Sequence, residues 1–157
     1  MPIDTINVRA PLLLAFALAL TAFGASAHGD EHRATVYGRP GDPAKVSRTV
    51  AIDMSDSMRF TPALITASKG ETIRFALSNS GKVRHEMVLG SSTELAEHAA
   101  LMRKFPEMEH ADPNRLSVDP GKTGALVWQF TRAGTFDFAC LQPGHFEAGM
   151  RGKITVR

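Results

Sequence analysis

The chain has 157 residues, 43% of them hydrophobic and 22% charged, with a formal net charge of +2. That length fits one domain, and the composition is globular rather than disordered or fibrous. Lysines and arginines are scattered, without a patch of interleaved basic and aromatic residues, which argues against nucleic acid as a partner.

The first element is a targeting segment. Arg9 precedes the apolar run PLLLAFALALTAFGA, which ends at Ala25-Ser26-Ala27. A positive start, an apolar stretch and small residues before a cut are the marks of a cleaved secretory signal peptide over 1–27. The run is short for a membrane anchor, which needs about 20 apolar residues. The mature chain then begins at His28, in an oxidising compartment, and has no membrane association once the signal is removed. Residues 28–45, HGDEHRATVYGRPGDPAK, are rich in glycine, proline and charge and read as a flexible tail.

The folded domain is expected over 46–157. In VSRTVAID, Val46, Arg48, Val50 and Ile52 share one face, the period of a strand. A short strand follows near 63–67. ETIRFALSN alternates Ile73, Phe75 and Leu77 and stops at Asn79-Ser80-Gly81; HEMVLG then places His85, Met87 and Leu89 on one side. The period changes in SSTELAEHAALMRKF, where Leu95, Ala99, Met102 and Phe105 have helical spacing and Ser91 with Glu94 forms a capping box. Strand patterns return in RLSVDPGKT, in GALVWQFT (Leu126, Trp128, Phe130), in GTFDFAC (Phe136, Phe138, Cys140) and in GKITVR (Ile154, Val156). Short strands between turn signals, with one helical insertion, make an all-β sandwich.

Cys140 is the only cysteine, so no internal disulfide forms. In an exported protein it is a buried inert thiol, an intermolecular crosslink or a metal ligand. The stretch CLQPGHFEAGM favours the last. His145 follows after four residues and Met150 after four more, with turns at Pro143-Gly144 and Gly149. His85, about sixty residues upstream, is the best source of a second imidazole. Two histidines, a cysteine and a weak axial methionine are the donor set of electron-transfer copper sites. Zinc is the rival metal, but structural zinc takes more thiolates or imidazoles and rarely a thioether.

The pattern His85…Cys140-x4-His145-x4-Met150 resembles the cupredoxins, the group of azurin, plastocyanin and pseudoazurin. The resemblance covers roughly Val46 to Arg157 and implies a Greek-key sandwich with a type 1 copper ion at one end. DMSDSMRFTP, KVRHEMVLG and ACLQPGHFEAGM also resemble periplasmic cupredoxins linked to copper tolerance. Asn79 or Ser80 is a candidate hydrogen-bond donor near the thiolate, and Phe138 and Phe146 are candidates to keep the site dry.

Other soft donors suggest a second, exposed copper site. His28 would carry a free α-amine after cleavage, with His32 close behind, while Met54, Met58, Met108 and His110 form a loose set suited to Cu(I). His98 lies on the polar face of the helix and reads as solvated.

Four protein ligands leave no open position for substrate, so the chain is not expected to be an enzyme. The favoured function is copper tolerance in the periplasm, and the alternative is one-electron transfer. Either way the partners are periplasmic redox or copper-handling proteins, met by a monomer through a small interface.

Overall fold

The computed structural model describes residues 35–108 and 112–157; residues 1–27, expected as a signal peptide, and His28, His32 and His110 lie outside them. In chain order the strands are β1 (Arg39–Pro40), β2 (Arg48–Ser55), β3 (Arg59–Thr61), β4 (Leu64–Ala67), β5 (Thr72–Asn79) and β6 (His85–Gly90). The helix α1 (Ser92–Lys104) follows, and then β7 (Arg115–Val118), β8 (Thr123–Gln129), β9 (Gly134–Ala139) and β10 (Arg151–Val156).

They form two five-stranded sheets, ordered β1-β8-β5-β2-β3 and β4-β10-β9-β6-β7. This is the expected sandwich with one helical insertion, and its strand order departs from chain order as in a Greek key. Alternation decides which residues face inward. Ile73, Phe75 and Leu77 of β5 are buried, paired across the ladder with Trp128, Leu126 and Gly124 of β8. The facing sheet contributes Met87, Leu89, Phe138, Ile154 and Val156 to the same core. Phe60 meets Phe138 edge-on at 4.9 Å and Phe75 meets Phe130 edge-on at 6.3 Å, geometries favoured by the ring quadrupoles.

The capping box forms: Glu94 N–H donates to Ser91 Oγ at 3.2 Å, and Ser91 N–H to Glu94 Oε2 at 2.9 Å. Leu95, Ala99 and Met102 pack on Val88, Ala139 and Leu141, a second cluster on the outer face of the β6–β9 pair. Phe105, expected on that face, is 53% exposed, because the chain leaves helical geometry there.

Two expectations are corrected. The folded region starts before Val46. Tyr37 is buried, stacks on Trp128 at 5.8 Å and accepts a hydrogen bond from Asn114 Nδ2 at 3.1 Å. Arg39 and Pro40 pair with Gln129 and Trp128, so residues 35–45 hold to the domain and are not a flexible tail. One buried aromatic ring outweighs the local glycine and proline signals. Second, Met54 is no exposed copper donor. It continues the inward alternation of Val50 and Ile52 and is wholly buried in the main core.

Candidate metal centre

Three neighbouring strands bring the donors to one end of the second sheet. β9 lies between β6 and β10, and the ladder pairs Val88 with Ala139 and Arg151 with Ala139. Cys140, one step past β9, therefore lies beside Met150, one step before β10. Cys140 N–H donates to Met150 O at 3.1 Å, which closes the base of the ligand loop.

Within the loop, His145 N–H donates to Gln142 O and Met150 N–H to His145 O, both at 3.0 Å. Gly144 and Gly149 take φ of +85° and +89°, left-handed conformations that suit glycine. Arg59 Nη1 donates to Ala148 O at 3.0 Å, and Arg151 donates twice to Phe146 O while covering the Phe146 ring at 3.8 Å. The loop is thus tied at its base, its tip and its side.

The side-chain donors converge. His85 Nδ1 lies 3.2 Å from His145 Nδ1, which lies 3.2 Å from Cys140 Sγ. All three donor atoms fall within 4.8 Å of one another. One ion about 2.0–2.3 Å from each donor would hold neighbouring donors about 3.3–3.7 Å apart, so the cluster is close to the size a metal requires. A thiolate with two imidazoles matches copper's preferences. Met150 is wholly buried, and its backbone carbonyl accepts from the N–H of Cys140, so it lies next to the cysteine in the fold.

Electrostatics set the donors' protonation. Burial pushes the Cys140 thiol up to about 12, against the opposing pull of the Gln142 and Glu86 backbone N–H groups. Without metal the sulfur is therefore a protonated, unreactive thiol, and metal binding releases its proton. Burial, then the neighbouring His85, lowers His145, which leaves a neutral imidazole with a free lone pair. Asp56 is held below its ordinary value, chiefly by the Lys82 backbone N–H, and so faces His85 Nε2 as a carboxylate at 3.1 Å.

The sequence reading missed Glu86. It is wholly buried next to His85 and ties three elements together. Its Oε2 accepts from Arg115 Nη2 at 2.5 Å and Ser117 Oγ at 3.0 Å, and its Oε1 accepts from Leu141 N–H at 3.2 Å. Its own N–H donates to Cys140 Sγ at 3.4 Å. The signal was a carboxylate inside the apolar strand HEMVLG, which only a buried partner explains.

Other expectations fall elsewhere. Asn79 does not reach the sulfur; it donates to Val83 O and Val118 O, both at 2.8 Å, and so pins the segment before His85. Ser80 bonds Asp53 instead. Phe138 fills the core and Phe146 packs on the helix cluster. Met58 is part-buried against the core, and Met108 lines a separate cavity with Arg84, Glu107 and Arg115. His98 is half-buried and lines a cavity with Tyr37 and Glu94 rather than lying in solvent.

Comparisons with known proteins agree with this chemistry. Residues 46–157 match the copper-binding proteins of the plastocyanin/azurin family. A copper-resistant cuproprotein, CopI, of Rubrivivax gelatinosus is 52% identical over 96% of this chain and 97% of its own length. The CopI of Pseudomonas aeruginosa is 35% identical over 86% of this chain and 90% of its own. Among solved structures, auracyanin B superposes with a TM-score of 0.61 at 20% identity, covering 79% of this chain and 96% of that one, which establishes a shared fold.

Proposed function

The chain belongs to the plastocyanin/azurin family of copper-binding proteins, and we propose that it is a periplasmic type 1 cupredoxin that protects the cell against excess copper. The observation that carries the reading is the meeting of His85 Nδ1, His145 Nδ1 and Cys140 Sγ within 4.8 Å. The tolerance role is supported by similarity to proteins named as copper-resistant. The protein acts by binding and redox exchange rather than as an enzyme, with periplasmic copper-handling or redox proteins as its partners.

Bound copper supplies a one-electron couple between Cu(I) and Cu(II). The chain's residues determine how that couple is held. Cys140 and Met150 offer soft sulfur, which favours Cu(I), while His85 and His145 suit both states. The loop hydrogen bonds hold these donors in place, so they need little rearrangement when the charge changes. His85, Cys140 and Met150 are wholly buried and keep water from three of the four donors; half-buried His145 provides the approach from the surface.

The test is Cys140→Ser. Copper-loaded mature protein should show a strong visible thiolate-to-Cu(II) band that the variant lacks. A strain without the gene should grow poorly in elevated copper and be rescued by the wild-type chain only. A variant that keeps the colour refutes the ligand assignment; a strain that grows equally well in elevated copper without the gene refutes the tolerance role, and equal rescue by both chains refutes its dependence on Cys140.

A further inference from the structure

His85 has no exposed side-chain surface, yet its outer nitrogen touches a group on the β2–β3 turn. Asp56 Oδ1 lies 3.1 Å from His85 Nε2, and the Asp56 side chain is itself 39% exposed. The surroundings are shaped to hold that carboxylate. Met58 has φ of +57°, uncommon for a residue other than glycine, and its N–H closes the turn on Ser55 O at 3.0 Å. On the opposite side, Lys82 N–H donates to Asp56 Oδ2 at 2.8 Å and Val83 N–H to Oδ1 at 3.4 Å. A Cβ on residue 81 would fall 2.0 Å from Asp56 Oδ1, so the carboxylate fits only because Gly81 has none.

We propose that Asp56 is a positioning residue for the copper ligand His85, fixing its tautomer and placing an anion behind it that favours Cu(II) over Cu(I). This rests on the reading of His85 as a ligand. A carboxylate oxygen only accepts hydrogen bonds, so the 3.1 Å contact calls for a proton on His85 Nε2. The lone pair on Nδ1 then faces His145 and Cys140. A carboxylate behind a metal-bound imidazole also raises its basicity and orients its ring. Glu86, the other nearby carboxylate, is neutralised by Arg115. Asp56 has no such cation: its ion-pair partner among the described residues is His85. Its charge therefore bears on the metal through the imidazole.

Asp56→Asn and Asp56→Ala separate the two effects, because asparagine keeps an acceptor oxygen and loses the charge while alanine loses both. In the metal-free protein, nitrogen NMR of the His85 ring should show Nε2–H in the wild type and in Asp56→Asn, and a mixture of tautomers in Asp56→Ala. With copper, Asp56→Asn should keep its visible band and lose about tenfold in Cu(II) affinity with less change for Cu(I). Asp56→Ala should lose up to about a hundredfold. Chelator competition in each oxidation state measures both. If the alanine variant does not fold, Asp56→Asn with the wild-type NMR decides alone. A proton on Nδ1 in the wild type, or an unchanged ratio of Cu(II) to Cu(I) affinity in Asp56→Asn, overturns the proposal. Absence of the visible band from the wild type would instead sink the ligand assignment, and the metal-free tautomer would still be readable.

Discussion

Replacing Glu86 by glutamine should destabilise the metal-free protein by about 3 kcal/mol. The carboxylate is wholly buried, and the Arg115 side chain facing it is only 8% exposed. Breaking a buried pair by removing one partner leaves the other charge uncompensated, at about 3–5 kcal/mol. Glutamine keeps the shape and one acceptor oxygen, which places the effect at the low end. Its amide nitrogen, however, must face donors now served by the carboxylate: Leu141 N–H in the place of Oε1, or Arg115 Nη2 and Ser117 Oγ in the place of Oε2. For a domain of this size the loss corresponds to a fall of roughly 10–15 °C in Tm. Urea unfolding at neutral pH measures it, with an unchanged slope showing that the change is one of stability. Adding Arg115→Met removes the stranded charge and should recover at least about 1.5 kcal/mol relative to additivity. A single variant within about 1 kcal/mol of wild type, or strictly additive substitutions, would refute the view that this pair fastens the cysteine loop.

Three further outcomes follow from the same contacts. Met150→Gln should retain copper but lower the redox potential, because a harder oxygen donor favours Cu(II); an unchanged potential in voltammetry means Met150 is not axial. Gly152→Ala should destabilise by about 1–3 kcal/mol, since the new Cβ would lie 2.1 Å from Phe138 Cζ and 2.6 Å from Ala63 O; a thermal midpoint equal to wild type contradicts that crowding. Burial pushes the Glu71 carboxyl up, but Arg48 at 2.6 Å and Ser68 N–H at 2.7 Å outweigh it and hold it below 4.5. Its folded value being depressed, Glu71 contributes stability above the ordinary carboxylate range and loses it as pH falls through the folded value. The stability gap between wild type and Glu71→Gln should close in acid, and a gap constant with pH would contradict the linkage.

What the sequence made legible was whatever short-range order encodes. The alternation in ETIRFALSN and GALVWQFT gave β5 and β8 because a half-buried strand needs that period. Ser91 with Glu94 gave the start of α1 because a capping box joins residues only three positions apart. Cys140, His145 and Met150 could be grouped because one loop carries all three. Residues whose partners lie far along the chain were hidden. Glu86 meets Arg115 and Asp56 meets His85, each 29 residues apart, through pairings that only the folded sheets create. Met54 was different: the inward alternation of Val50 and Ile52 already assigned it to the core, and its thioether drew attention away from that pattern. Tyr37 stayed hidden because its partner, Trp128, is 91 positions away and its neighbours are turn formers.

The two carboxylates near His85 divide the work of the centre by how their charge is balanced. Glu86 is buried and must be paired, because burying an unpaired polar or charged group is costly. Arg115 pairs it, and the pair has little net charge to impose on the metal; its effect is mechanical, joining β6, β7 and the residue after Cys140. Asp56 is part-exposed, so water and backbone N–H groups hold its charge without a cation. That leaves the charge free to act along the hydrogen bond to His85. If the division is right, changing Glu86 moves stability far more than the balance between Cu(I) and Cu(II), and changing Asp56 does the reverse. The same two measurements, urea midpoint and Cu(II)-to-Cu(I) affinity ratio, made on Glu86→Gln and Asp56→Asn, decide it. Parallel shifts in both quantities for both variants would mean that fold and metal preference are not separable at this end of the sandwich.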